Sequence, residues 1–274
     1  MCAFERSEKG MEFFMNTKIN YKILNPGGNK TALVIGNEYS LEERRKINKD
    51  ILDKNPDVEQ VGFISTKDYK LEMAGGEFCV NATRCAIFEY LKGKPGTLNL
   101  YVSGANEKIS GGITQERKVF ANMQINKTMN ELIEKKDNFN LIKLDGILQA
   151  VLDEENSKSY IKALKENQEV TKLQLKDIMK TFDTTENAVG IILLEKEGSK
   201  LKIYPVIWVK TIDTLYYETA CGSGSLATAI YKNSIDSTDN LEVVQPSGYS
   251  INVQLNKEND FVKDAIILGE VIED

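Results

Sequence analysis

The chain has 274 residues, 41% of them hydrophobic and 28% charged, the balance of a soluble globular protein of one large or two ordinary domains. Its net charge of −6 argues against a nucleic-acid or anionic-membrane surface, since both need a basic patch, and no apolar run reaches the length of a membrane span. Histidine is absent, which removes Ser-His-Asp and Cys-His catalysis and every His-containing metal site, and leaves Cys, Asp/Glu, Lys or Tyr as proton carriers.

Residues 1–16 read as a loose leader without the long apolar core of a signal peptide, so a cytoplasmic location is expected. NYKILNPGGNKTALVIGN reads as strand, turn and strand around Pro26-Gly27-Gly28-Asn29. SLEERRKINKDILDKN has helical spacing with Ser40 as N-cap, and VEQVGFIS is strand-like. Ala74-Gly75-Gly76 leads to Cys79 and a helix in which Ala82, Cys85, Ala86, Phe88 and Tyr90 form the apolar face and Gly93 is the stop. TLNLYVSG and KVFANMQIN follow as strands. From about 129 to 182 the chain is rich in Lys and Glu, and EENSKSYIKALKENQEV reads as a solvated helix without chemistry. AVGIILLEKE, KLKIYPVIWV and DTLYYETA read as strands, CGSGSLATAIYK as a second turn into helix, EVVQPSGYSINVQL as a hairpin around Pro246-Ser247-Gly248, and DAIILGEVIED as a closing strand.

Four cysteines occur, Cys2, Cys79, Cys85 and Cys221, with no C-x-x-C pair, so neither a metal site nor structural disulfides are expected. Cys85 suits a small buried hydrophobe and Cys2 a terminal residue. Cys79 and Cys221 differ, because each opens a helix after a glycine-rich or polar turn. Cys79-Val-Asn-Ala-Thr-Arg-Cys-Ala-Ile lines up with Cys221-Gly-Ser-Gly-Ser-Leu-Ala-Thr-Ala about half a chain later, which suggests two similar α/β halves. A helix start carries unpaired N–H groups and partial positive charge, so it favours a thiolate and binds a carboxylate. Two such starts facing one cleft could hold a substrate carboxylate, with a thiol on each face of the adjoining carbon. One thiolate would remove the α-proton while the opposing thiol protonates the other face, which inverts the centre.

These segments resemble the diaminopimelate epimerase superfamily of racemases that work without pyridoxal phosphate. Its Cys-Gly-Asn-Gly-x-Arg-Cys motif reads here Cys79-Val80-Asn81-Ala82-Thr83-Arg84-Cys85, its Ala-Cys-Gly-Thr-Gly motif reads Ala220-Cys221-Gly222-Ser223-Gly224, and its Gly-x-Gly-Asn turn appears as Pro26-Gly27-Gly28-Asn29. The resemblance implies an α/β fold of two pseudo-symmetric domains, each a curved sheet or barrel around a central helix, with the active site in the cleft between them. It divides the chain into 17–128 plus 263–274, carrying Cys79, and 129–262, carrying Cys221. It also implies Cys79 and Cys221 as catalytic residues, no cofactor, and an amino acid as the small-molecule partner. Related enzymes are often homodimers; the sequence itself leaves the oligomeric state open.

Two departures bear on the substrate. The family's Asn-Pro-His segment is missing from ENAVGIILLE, and its Glu-Arg pair before the second cysteine is replaced by Ile212 and Asp213. Without that arginine a distal carboxylate has no bidentate partner, so diaminopimelate suits poorly. KILNPGGNKTALV, EQVGF, GGEFCVNATR and WVKTIDTLYYETACGSG are instead similar to the histidine racemase branch that supplies D-histidine for staphylopine-type metallophores. That likeness implies inversion of L-histidine, with Glu59 meeting the side chain and Asn29, Val80, Asn81, Gly222 and Ser223 around the rest of the substrate. The alternatives are a diaminopimelate epimerase or a racemase of another amino acid, and, in another class, a non-catalytic amino-acid-binding or thiol-redox protein of the same fold.

Overall fold

The computed structural model describes residues 19–36, 38–65 and 67–274; the expected leader over 1–16, Cys2 and positions 17 and 18 lie outside them. The chain writes the same pattern twice. Strand Tyr21–Asn25 turns back on Thr31–Gly36, which pairs in parallel with Gln60–Ser65 through helix Leu41–Lys54. Lys70–Met73 then pairs antiparallel with Gln60–Ser65 and in parallel with Gly96–Val102, and the crossover between those two is helix Val80–Tyr90. In the second half Phe139–Leu144 turns back on Ile147–Leu152, which pairs in parallel with Ala188–Glu197 through helices Glu154–Glu166 and Gln168–Met179. Lys200–Val209 pairs antiparallel with Ala188–Glu197 and in parallel with Asn240–Val244, and here the crossover is helix Gly222–Asp236. Each cysteine helix therefore holds the equivalent place in its half. Parallel pairs need such crossovers, because a tight turn cannot return the chain to the same end.

The halves join along their last strands. Ile109–Ile113 and Val119–Thr128 complete the first sheet, Ser250–Glu258 and Phe261–Gly269 the second, and Val119–Thr128 pairs antiparallel with Phe261–Gly269. The closing segment, read as one strand, divides: Phe261–Gly269 makes that junction and Ile272–Glu273 pairs with Tyr21–Asn25. The curved sheets wrap both cysteine helices, which is why these carry small and apolar residues on every side. Ala82, Cys85, Ala86 and Ile87 of the first and Leu226, Ala227, Ala229 and Ile230 of the second share one core. A helix apolar all round has to be buried.

Local signals explain the other elements. Ser40 caps its helix in a capping box with Glu43. The stretch read as one solvated helix is two, broken at Asn167, and one face of the pair is covered: Ile161, Leu164, Leu175 and Met179 pack on the back of the second sheet. Strand Ile109–Ile113 does not stand out in the sequence, because Gly111 and Gly112 are poor strand formers. They are required by packing: a Cβ on Gly111 would lie 2.4 Å from Ile87 Cδ1. Among the described residues no helix is long and apolar enough to cross a membrane.

Candidate active site

Cys79 is the N-cap of Val80–Tyr90 and Cys221 the N-cap of Gly222–Asp236, with nearly identical backbone angles, φ −137° and ψ 115° against φ −136° and ψ 107°. Each sulfur accepts the N–H three residues on, Ala82 N at 3.4 Å and Gly224 N at 3.3 Å. Each cysteine carbonyl accepts a hydroxyl at 2.7 Å, from Thr83 in one helix and Ser225 in the other. The internal echo in the sequence is thus a repeated capping geometry.

The two helix starts abut. A Cβ on Gly222 would lie 2.7 Å from Val80 Cβ, so glycine is needed for this approach. One cavity of about 40 Å³ is lined by Cys79 and Cys221 together with Asn29, Val80, Asn81, Gly222 and Ser223. The N–H groups of Val80, Asn81, Gly222 and Ser223 belong to first turns, which supply no intrahelical acceptor for them. Asn29 and Asn81 both donate their side-chain amide to the Ala220 carbonyl at 3.0 Å, fixing the peptide that leads into Cys221. Asn29 sits at φ 52°, after Gly27 at 86° and Gly28 at 105°, and a Cβ on Gly28 would lie 2.8 Å from Thr219 O. Only this run of left-handed backbone lets the turn reach the second half.

Glu59 faces an adjoining cavity of about 30 Å³ that shares Gln60, Glu77 and Glu218 with the first. Its Oε2 accepts Thr219 N at 3.1 Å and its Oε1 accepts the Thr219 hydroxyl. Asp213 lies apart, exposed and bonded to Lys176 and Trp208, and Cys85 is fully buried in the core. A larger cavity of about 270 Å³ shares only Phe78 and Ser223 with the cysteine cavity.

Sequence reading missed the groups that set the acid–base character. Cys79 donates its S–H to Gln60 Oε1 at 3.0 Å, and Gln60 donates in turn to Thr31 at 2.8 Å. Cys221 lies 3.5 Å from Ser223 Oγ, which accepts from Gln149 at 2.9 Å, and its backbone N–H is held by Gln245 at 2.8 Å. Glu77 and Glu218 join the cavity wall. Their signal was available: each cysteine has a carboxylate just upstream, in GGEFC and in YETAC.

Burial pushes the Cys79 thiol up to about 12, and the Glu218 charge adds to that; the Ala82 N–H acts in the opposite sense. Cys221 is raised well above its ordinary value, first by burial and then by Glu218. Burial lifts Glu218 itself to about 8 and raises Glu77 as well. The expected pull of the helix starts toward thiolate meets an opposing one. Their N–H groups do pull that way, but desolvation and a neighbouring carboxylate outweigh them.

Solved structures with the same architecture include a PhzF-family phenazine biosynthesis protein from Enterococcus faecalis, TM-score 0.56 at 15% identity, covering 92% of this chain and 95% of that one. Another is a hydroxyproline epimerase from Agrobacterium vitis with bound trans-4-hydroxy-L-proline, TM-score 0.57 at 11% identity, covering 93% and 88%. At such identities the likeness concerns the fold. Among curated proteins, a histidine racemase of Fusobacterium nucleatum subsp. nucleatum is 28% identical over 239 residues, 82% of this chain and 85% of that protein. A histidine racemase of Staphylococcus aureus is 25% identical over 248 residues, 84% and 86% of the two chains. Residues 18–272 match the family described as the histidine racemase CntK N-terminal domain, and the chain belongs to that family, an amino-acid racemase and hence an isomerase.

Proposed function

We propose that this racemase inverts histidine, L to D and back, without a cofactor, by two-base proton transfer between Cys79 and Cys221. The observation that carries this reading is the shared cavity: two cysteines with matching cap geometry line one small space. The substrate carboxylate sits at the paired helix starts, against the N–H groups of Val80, Asn81, Gly222 and Ser223, with Asn29 beside it. Charge that develops on the carboxylate as the α-proton leaves is stabilised there, as in an oxyanion hole. Support for histidine comes from the named relatives and from the acidic second cavity, where Glu59, Glu77 and Glu218 suit an imidazole N–H or an imidazolium.

In each inversion the Cα–H bond breaks and its proton goes to one sulfur, while the other sulfur's proton forms the new Cα–H bond on the opposite face. One thiolate becomes a thiol and one thiol a thiolate, so charge and protons balance. Reaching the thiolate requires lowering two raised thiols. An incoming ammonium does this by offsetting the Glu218 charge. The cavities are small, so the cleft between the two cysteine-bearing halves opens to admit substrate. A cytoplasmic location suits this chemistry, because reduced thiols persist there. A homodimer is part of the same proposal.

The test is incubation of reduced protein in D₂O with L-histidine, LL-diaminopimelate and a panel of other amino acids, followed by chiral chromatography and mass spectrometry. D-Histidine carrying one α-deuterium is the expected product. Exchange confined to another amino acid would discard histidine and keep the racemase. No exchange with any of them would contradict the proposed reaction.

A further inference from the structure

Three carboxylates face the second cavity, and they are differently engaged. Glu59 has an oxygen on the Thr219 N–H and the other on the Thr219 hydroxyl. Glu218 lines both cavities and shares the first of them with Cys221. Glu77 is 8% exposed, lines both cavities, and its Oε2 has no partner among the described residues. The nearby cation, Arg44, places Nη1 2.6 Å from Glu72, and its Nε has no partner among the described residues.

The surroundings hold Glu77 in this state. Its carbonyl accepts the Ser103 hydroxyl at 2.8 Å, and Ser103 in turn accepts Met73 N at 2.9 Å, which pins the residue to the strand before it. Gly104 presses on the following peptide, where a Cβ would lie 2.5 Å from Phe78 N. Gly75 leaves room for the carboxylate, since a Cβ there would lie 2.6 Å from Oε2. A buried acceptor without a donor is costly, and a site that keeps one discriminates strongly for a ligand that supplies the donor.

We propose that Glu77 Oε2 is the acceptor for the substrate's side-chain N–H and so selects an N–H-bearing ring, while Glu59 acts as a positioning residue through Thr219 and the peptide leading to Cys221. This rests on the histidine reading and adds to it a specificity-determining residue and a division of labour between the two glutamates. Because Glu77 meets the side chain, its loss falls on one class of substrate. Because Glu59 acts on the loop, its loss falls on all of them.

The experiment compares wild type, Glu77→Gln and Glu59→Gln on L-histidine and on 3-(2-thienyl)-L-alanine, which has a similar ring and no N–H. Deuterium exchange gives kcat/KM for each, and where thienylalanine is not turned over its inhibition constant against histidine is measured instead. Glu77→Gln is expected to lower the histidine-to-thienylalanine ratio of kcat/KM by about 10- to 100-fold, whatever it does to both rates in common. Glu59→Gln is expected to lower both substrates in the same proportion. If Glu77→Gln leaves the histidine-to-thienylalanine ratio unchanged, whether both fall or neither does, Glu77 is not the side-chain acceptor and histidine racemisation survives. If the wild type does not turn over histidine at all, the histidine reading fails and this assignment falls with it.

Discussion

The helices starting at Cys79 and at Cys221 are built alike and furnished differently. Both cysteines cap a buried helix with the same backbone angles, the same N–H to sulfur and the same hydroxyl on the cysteine carbonyl. Beyond that shell they diverge. The Cys79 sulfur meets the amide oxygen of Gln60, which accepts a hydrogen bond and cannot carry a proton onward. The Cys221 sulfur lies 3.5 Å from the Ser223 hydroxyl, with the Glu218 carboxyl on the same cavity wall, and both groups can pass one. A repeated scaffold thus brings both thiols to one cavity, and unrepeated polar neighbours make the two chemically unequal. The proposed racemisation needs the first property for inversion and tolerates the second, since each thiol would serve as acid in one direction and base in the other.

The largest expected effect removes the symmetry outright. Cys79→Ser and Cys221→Ser should each lower racemisation by about 10³-fold or more, as expected for a lost acid or base, while Cys85→Ser retains most activity; comparable rates in all three variants would break the comparison. Next is the carboxylate three residues before Cys221. Glu218→Gln should lower kcat by about 10- to 100-fold and, because the Glu218 charge raises both thiols, shift their alkylation by iodoacetamide to lower pH. An unmoved alkylation profile would remove Glu218 from the account.

The same residue gives a stability prediction. Its carboxyl rises from 4.5 to about 8 on folding, so between those values the folded chain holds a proton that the unfolded chain releases. Stability therefore falls as pH rises through that window. Glu218→Gln should flatten this fall by ~1–3 kcal/mol in urea titrations, a figure reduced for partial solvent screening. The smallest effects test what the halves share. Thr83→Val and Ser225→Ala each delete the hydroxyl on a cysteine carbonyl and should cost about 0.5–1.5 kcal/mol of stability apiece. Markedly unequal costs would mean that the two caps are alike in form only.

Much of this arrangement was legible in the sequence. The cysteines stood out because a thiol at a glycine-rich helix start, written twice, is rare chemistry in a repeated local frame. The turn at Pro26–Asn29 and the Ser40 cap were readable for the same local reason. Strand Ile109–Ile113 was hidden, since its glycines answer to Ile87, a residue distant in sequence. The pairing of Val119–Thr128 with Phe261–Gly269 is likewise a long-range event that no window of sequence contains. Glu77 and Glu218 were passed over because an acid beside a turn is ordinarily solvated. Only the closed sheets show that these two are enclosed with the sulfurs.

The most direct test of two thiols acting on opposite faces is the early fate of solvent deuterium. L-Histidine incubated with the reduced protein in D₂O, stopped at less than about a tenth of conversion, should give D-histidine fully labelled at the α-carbon while the remaining L-histidine stays unlabelled, with the mirror result from D-histidine. Label entering the starting enantiomer as fast as the product forms would mean that one group serves both faces, and would contradict the account.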